Sequence, residues 1–371
     1  MNAHKFAGIG ATLLGVSLPY FSTTAFSQAQ PAPAAGAAAP AAAAGRGAGR
    51  GTPMVRMLSP GRDLGYRYNP DPLPIPENLK CKVTEKTPRC GVNGFAFQVG
   101  SVAQDAKGHI YVAQRSAEGP QLLEWDTNRR FVRGFAAGAT NRAHGMAFDA
   151  EGNLWLADQW GNTVTKFAPD GRVLQVLGER GKEGDWDEAK GTKLLFAPLA
   201  IAFARDGSMY ISQGHGRESN ANAPARILHL DRNLRVLHQW FGNVNAPGKF
   251  GMAHSIVIRP DNGNLYIADR DDKRIVIYTG DGKFVKAIEM NNYVCAFMVT
   301  KNNELWVSTG GDGQIQKIDW DGNIIGWSGL GFGTGPGQFQ ESNFMVQDAR
   351  GNLIVGDTAL GRVQEMIAPA G

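Results

Sequence analysis

Two histidines sit in matching settings, Ala143-His144-Gly145-Met146 and Ala253-His254-Ser255-Ile256, each just ahead of a turn that leads into a second apolar run. Neutral imidazole is the commonest metal ligand among side chains, and two of them at one repeat position point to metal ligation. The bland alternative is a pair of hydrogen bonds to backbone carbonyls. A third histidine, His215, stands at the root of the polar stretch from Gly214 to Asn222, where it can approach the first two. Arg115, at the end of Val112-Ala-Gln-Arg115, offers a planar fork that holds a carboxylate bidentately. Arg270 ends a later run in the same way, and Asn343 shares the repeat position of the two histidines. His109, His229 and His238 read as structural, as do Trp155, Trp160, Trp186, Trp240, Trp306, Trp320 and Trp327, which read as packing residues.

A repeat must bring these residues together. A turn followed by a strand recurs as Asp105-Ala-Lys-Gly108, Asp149-Ala-Glu-Gly152, Ala204-Arg-Asp-Gly207, Pro260-Asp-Asn-Gly263, Thr300-Lys-Asn-Asn303 and Asp348-Ala-Arg-Gly351, each leading into an apolar run. A spacing of roughly 40–55 residues is that of propeller blades. Around Ala143 to Gly178, four short runs rich in Val, Leu, Phe, Trp and Thr alternate with turn signals, as in a four-stranded antiparallel meander. Both faces of such a sheet are apolar, so it needs a neighbour on each side. The fold class is therefore all-β, a six-bladed β-propeller of four-stranded antiparallel blades. The first strand of a blade lies nearest the axis, and the residues opening those strands are Gly100, His144, Leu199, His254, Cys295 and Asn343. The row ending the second strands reads Arg115, Gln159, Gly214, Arg270, Gly310 and Thr358. The last blade is one strand short, and Leu64 to Asn69 is expected to close it against Arg362 to Met366.

The chain has 371 residues, 48 of them glycine, and a formal net charge of +4. Most of that excess lies ahead of the repeats, in Lys5, Arg46, Arg50, Arg56, Arg62 and Arg67 against Asp63. The near-neutral repeat region argues against nucleic acid as a partner. Residues 1–29 read as a signal peptide, with Lys5, an apolar Ala7 to Phe21 and small residues around Ala25 to Ala29. The apolar stretch is too short to span a membrane. Residues 30–62 read as an Ala/Pro/Gly-rich disordered linker, and 63–371 as the propeller. An exported protein, periplasmic or extracellular, is expected, with a disulfide between Cys81 and Cys90 and Cys295 left unpaired. Nothing compels assembly, so a monomer is expected.

The repeats resemble those of NHL propellers. More narrowly, the Ala-His-Gly-Met and Ala-His-Ser-Ile starts and Val112-Ala-Gln-Arg115 resemble the peptidyl-α-hydroxyglycine α-amidating lyase family, over about Tyr66 to Ile367. That resemblance implies a six-bladed propeller that cleaves a carbinolamide C–N bond, giving a peptide amide and glyoxylate. It implies that His144 and His254 are two of three zinc ligands and that Arg115 engages the carboxylate of a small or peptidic substrate. Asn343 stands where the family has its third zinc histidine, and His215 where it has a catalytic tyrosine. His215 is thus the candidate third ligand or base, with Asn343 and Arg270 as further substrate contacts and a divalent transition metal, zinc first, as cofactor. Phe344 replaces an aspartate that binds a structural calcium in the family, which argues against calcium because a hard cation needs a carboxylate. A second function class is a non-catalytic NHL propeller that binds a protein or glycan. A third, a lactonase or streptogramin-type lyase, lacks an acidic cluster at the strand starts.

Overall fold

The structure, a computed structural model, describes residues 61–215, 225–242 and 248–370. The assigned signal peptide and all of the linker up to residue 60 lie outside the described residues, as does most of the polar stretch after His215. Six sheets alternate around a ring, and the inner strand of each touches those of its neighbours, with blade six meeting blade one. The inner strands are Val99–Gln104, Ala143–Phe148, Pro198–Phe203, Ala253–Ile258, Tyr293–Val299 and Ser342–Gln347 for blades one to six. Two short 3-10 turns, Glu77–Leu79 and Val92–Gly94, are the helical elements among the described residues.

The burial pattern explains the sequence pattern. In blade two, Leu154–Asp158 is wholly buried, whereas the outer strand Val173–Gly178 is largely exposed. The inner three strands are sandwiched between sheets and must be apolar on both faces. Blade one meets blade two through Tyr111, Leu122, Met146, Leu156 and Phe167, and blade four meets blade five through Tyr266, Ile275, Phe297 and Val307. Each such layer removes large side chains from water on both of its sheets, which is the main term holding a propeller together.

The repeated turns behave as their residues require. Gly108, Gly152, Gly207, Gly263 and Gly351 have positive φ, and so does Asn303, which stands in the turn without glycine. A second recurring device is the buried Gln or Asp that ends the second strand. Gln114 and Gln213 each accept an N–H from the loop before the inner strand, Ala96 and Phe196, at 2.8 Å. Asp158 takes the N–H groups of Asn141 and Arg142, Asp269 those of Gly251 and Met252, and Asp357 those of Gln340 and Glu341. A carboxylate that satisfies two backbone donors fixes the approach to the axis in blades two, four and six.

Closure follows the expectation with one refinement. Arg67–Asn69 pairs antiparallel with Arg362–Ile367, Tyr68 facing Met366, and supplies the missing outer strand of blade six. Residues 62–64 go to the neighbouring blade. Arg62–Asp63 runs parallel to Ile324–Ser328, and the Leu64 N–H donates to the Trp327 carbonyl at 2.8 Å. The segment thus clasps blades five and six together. Tyr68 carries the clasp, its hydroxyl lying 3.0 Å from the Ser328 hydroxyl and accepting the Gly329 N–H at 2.8 Å.

Candidate active site

All six inner strands are irregular at one place. The ladder to the second strand skips Gly100, Leu199 and Cys295 in blades one, three and five. It skips the pairs His144-Gly145, His254-Ser255 and Asn343-Phe344 in blades two, four and six. A bulge frees its residues from the pleat and re-aims their side chains. The row singled out from sequence is therefore a ring of bulges, and the wider ones carry His144, His254 and Asn343 on alternate blades. Blade one contributes no side chain here. A Cβ on Gly100 would collide with the Ala143 carbonyl.

The odd-blade bulges contribute carbonyls instead. His144 Nδ1 lies 2.8 Å from the Leu199 carbonyl oxygen, and His254 Nδ1 lies 2.6 Å from that of Cys295. A carbonyl only accepts, so each Nδ1 carries the proton and each Nε2 keeps its lone pair. Both rings are 2% exposed. Burial holds both pKa values well below the ordinary histidine value, reinforced at His144 by His254 and Arg115 and at His254 by Arg270 and His215. Two neutral imidazoles with unprotonated Nε2 atoms are ready ligands for a metal.

His215 joins them. Its ring centroid lies 5.7 Å from that of His254 and 6.4 Å from that of His144, and the latter two are 4.8 Å apart. Gly214, at φ 104°, packs so closely on Ala225 that no side chain fits there, and its turn delivers His215 to the group. Among the described residues, no three His, Cys, Asp or Glu side chains already converge on one point at metal-ligating distance. Two imidazoles are in place and a third ligand would have to come from His215 or from the Asn343 amide.

Asn343 is primed for a partner. Its Nδ2 donates to the Thr358 hydroxyl at 3.3 Å, and that hydroxyl donates to the Val99 carbonyl at 2.8 Å. Because Thr358 has spent its proton, the orientation of the amide is set, and the buried Asn343 Oδ1 is left with no hydrogen-bond partner. A buried acceptor in that state costs about 1–3 kcal/mol unless a ligand, water or ion satisfies it. Phe344 extends from blade six across the axis. Its ring lies 5.6 Å from that of His144, edge to face, and belongs to an apolar cluster with Ala200, Ala253, Ile256 and Ala296. The place where the resemblance puts a calcium carboxylate thus holds an apolar ring.

Arg115 is positioned beside this group. Its Nε donates to the Ala143 carbonyl at 3.0 Å and its Nη1 to Gln98 Oε1 at 2.8 Å, so the guanidinium is held one residue from His144. Arg270 is committed elsewhere, bonding Glu341 at 2.9 Å and Asp271 at 2.8 Å. That ion pair occupies the fork proposed from sequence to contact substrate, and nothing in the sequence row had pointed to Glu341. Trp160 also departs from its expected packing role, being 47% exposed with the Arg142 guanidinium 4.5 Å from its ring centroid. His109 and His229 are structural as expected, bonding Glu124 and Ser208. Cys81 and Cys90 are joined, and Cys295 is a buried free thiol.

No protein-family model matches the chain. It is 31% identical over 189 residues to NHL repeat-containing protein 3 of Mus musculus, across 48% of this chain and 51% of the mouse protein. It is 29% identical over 157 residues to peptidyl-glycine alpha-amidating monooxygenase A of Xenopus laevis, across 40% of this chain and 16% of that protein. With peptidyl-alpha-hydroxyglycine alpha-amidating lyase 1 of Drosophila melanogaster it shares 27% identity over 153 residues, 38% of this chain and 26% of that one. The matched stretch spans about half the length of the mouse relative and less of the others. Among solved structures, a gluconolactonase from Xanthomonas campestris superposes with a TM-score of 0.56 at 15% identity, over 82% of this chain and 100% of that one. A streptogramin B lyase gives 0.51 at 13%, over 82% and 98%. At such identities the likeness is one of fold. Taken with the sequence matches, the ring of blades makes this chain a six-bladed propeller that resembles NHL-repeat proteins and the peptidyl-α-hydroxyglycine α-amidating lyases.

Proposed function

We propose that the chain is an exported lyase of the amidating-lyase type, metal-assisted, that cleaves the C–N bond of a carbinolamide at the mouth bearing His144, His215 and His254. The observation that carries this reading is the meeting of three imidazoles from separate blades, with centroids 4.8–6.4 Å apart, beside Arg115. Export is supported by the Cys81–Cys90 disulfide, which suits an oxidising compartment, and by the amino-terminal sequence. No helix among the described residues is long and apolar enough to cross a membrane.

The donor set suits a divalent transition metal such as zinc, since both anchored imidazoles present unprotonated Nε2 atoms. His144 and His254 would hold it, with His215 or the Asn343 amide oxygen as third ligand. Such an ion supplies Lewis acidity, lowering the pKa of a hydroxyl or water bound to it. Arg115 grips the substrate carboxylate and sets the hydroxyl-bearing carbon against the imidazoles. His215, when not a ligand, accepts the hydroxyl proton. The O–H electron pair becomes the second bond of the aldehyde C=O as the C–N bond breaks. The nitrogen keeps the pair of the broken C–N bond and takes the proton back from His215, releasing an amide and glyoxylate. The test is metal content and glyoxylate release from a peptidyl-α-hydroxyglycine, compared between wild type and His144→Ala or His254→Ala. Stoichiometric metal and turnover in wild type, both lost in each variant, are expected. Unchanged metal and turnover in both variants refute the mechanism.

A second reading, a propeller that binds a protein or glycan without chemistry, is favoured by Asn343 and Phe344 standing where the resemblance expects ligands. Wild-type protein with neither metal nor glyoxylate release would support it.

A further inference from the structure

Asn343 is not alone in holding a buried amide with one end unmatched. Gln159, wholly buried, follows Asp158 at the end of the second strand of blade two, and its Oε1 accepts the Arg142 Nε–H at 3.1 Å. A guanidinium nitrogen only donates, so that end of the Gln159 amide is the oxygen and the other end is the NH2 group. Among the described residues, Gln159 Nε2 has no hydrogen-bond partner. Asn343 is the opposite case, with its NH2 group on the Thr358 hydroxyl and its Oδ1 unmatched. A buried polar atom without a partner is costly, and a donor and an acceptor left over together call for a ligand group that carries both.

The repeat sets the two amides at the level of the imidazoles. Gln159 N–H donates to the Arg142 carbonyl and Thr358 N–H to the Glu341 carbonyl, each at 3.0 Å, so Gln159 and Thr358 hold one register position in blades two and six. Asp158 pairs with Ala143 and Asp357 with Ser342. Gln159 is therefore in register with His144 as Thr358 is with Asn343, and Thr358 meets Asn343 at 3.3 Å. Gln159 is 0% exposed, and Asn343, His144 and His254 are each 2% exposed. A ligand group deep enough to reach the imidazoles is deep enough to reach both amides.

We infer that Gln159 and Asn343 bracket a backbone amide of the ligand, Gln159 Nε2 donating to its carbonyl oxygen and Asn343 Oδ1 accepting its N–H. A trans amide carries those two groups on opposite edges, which suits a donor on blade two and an acceptor on blade six. The inference rests on the reading that the imidazole mouth receives a carbinolamide, and it assigns Asn343 to the ligand rather than to a metal. The two amides then select a peptide bond over an ester. As the C–N bond breaks, the pair kept by the nitrogen is shared with the carbonyl oxygen, so the Gln159 donor faces a growing negative charge.

The experiment is calorimetric binding of N-acetyl-alanylglycine, of its ester analogue N-acetyl-alanylglycolate and of N-acetyl-alanylsarcosine to the full chain. These ligands lack the reacting hydroxyl, so binding is read without turnover. Wild type is expected to bind the glycine amide about tenfold or more tightly than the ester or the N-methyl amide, because either analogue leaves Asn343 Oδ1 unmatched. Asn343→Ala should narrow the preference for amide over ester to about twofold or less. Gln159→Glu keeps an oxygen for Arg142 but replaces the donor by an acceptor, and should weaken amide and ester alike by about tenfold or more with their ratio unchanged. Gln159→Leu is the second variant at that position and should weaken both in the same sense. Undetectable binding of the amide, equal wild-type affinities for amide and ester, an amide preference that survives Asn343→Ala, or full affinity in both Gln159 variants overturns the assignment. Glyoxylate release from a peptidyl-α-hydroxyglycine without an amide preference in binding refutes the bracket alone, and the amide preference without glyoxylate release refutes the lyase reading alone.

Discussion

His144 and His254 make the propeller acid-sensitive in a defined window. Folded, both are neutral and held well below the ordinary value, chiefly because burial penalises the imidazolium. Unfolded, each titrates near ~6.5, so below that pH the unfolded chain binds more protons than the folded one and stability falls as pH falls. The contribution is complete above about pH 6.5 and lost progressively toward the depressed folded values. Each ring removes up to about 1.4 kcal/mol per pH unit, so the pair removes up to about 4 kcal/mol between pH 8 and pH 5. The assay is urea unfolding of chelator-treated wild type and of His144→Gln/His254→Gln, at both pH values. Glutamine keeps an N–H for the Leu199 and Cys295 carbonyls but does not titrate. The variant should be less stable at pH 8 and should lose about 4 kcal/mol less on acidification. His229, whose pKa is lowered to about 4, acts equally in both proteins and cancels. Equal pH dependence in the two proteins would refute the reasoning, because it would mean that the rings accept protons without unfolding.

Two further outcomes follow from the fold. Phe344→Ala empties the place where its ring packs against His144 and Gly145, and should cost about 3–5 kcal/mol in urea denaturation, with Phe344→Leu recovering much of it. A loss below about 1 kcal/mol would show that the shaft does not depend on the ring. Tyr68→Ala removes the hydroxyl bonds to Ser328 and Gly329 and a ring packed against Gly337, and should cost about 2–4 kcal/mol. Hydrogen exchange should then quicken in Arg362–Ile367, and unchanged protection there would mean that the clasp is not what closes blade six.

The scaffold was legible because its cues are local. A glycine or asparagine at each turn and apolar runs on both faces specify blades without knowledge of their partners, and the missing strand of blade six could be assigned by counting. Which side chains share the axis was legible for the same reason, since Gly100, His144, Leu199, His254, Cys295 and Asn343 align on the turns. What those side chains do there was not. The bulge that turns His144 toward the Leu199 carbonyl depends on the neighbouring blade, 55 residues away. The Arg270 and Glu341 pair joins residues 71 apart and has no repeat signature. The buried Asp158, Asp269 and Asp357 were visible as a repeated final residue, and a row of acids ending buried strands was the available signal for the backbone tether that they form.

The wider bulges also bear on how the site differs from the family it resembles. A two-residue bulge frees both Asn343 and Phe344 from the ladder, so a change at one alters the setting of the other. Asn343 leaves an unsatisfied acceptor at the level of the histidines, and Phe344 sends its ring from blade six to Gly145 of blade two. That ring lies edge to face against His144. A ligand then has its approach from the mouth where Arg115, Gln159 and Thr358 follow the ends of their strands. An apolar ring beside the imidazoles also lowers the local dielectric, which makes their protonation more costly. Burial is the first cause of the depressed pKa values of His144 and His254, and the Phe344 ring packed on His144 adds to it. In that setting the neutral, Nδ1-protonated imidazole is the stable form at neutral pH, which is the form that metal ligation requires.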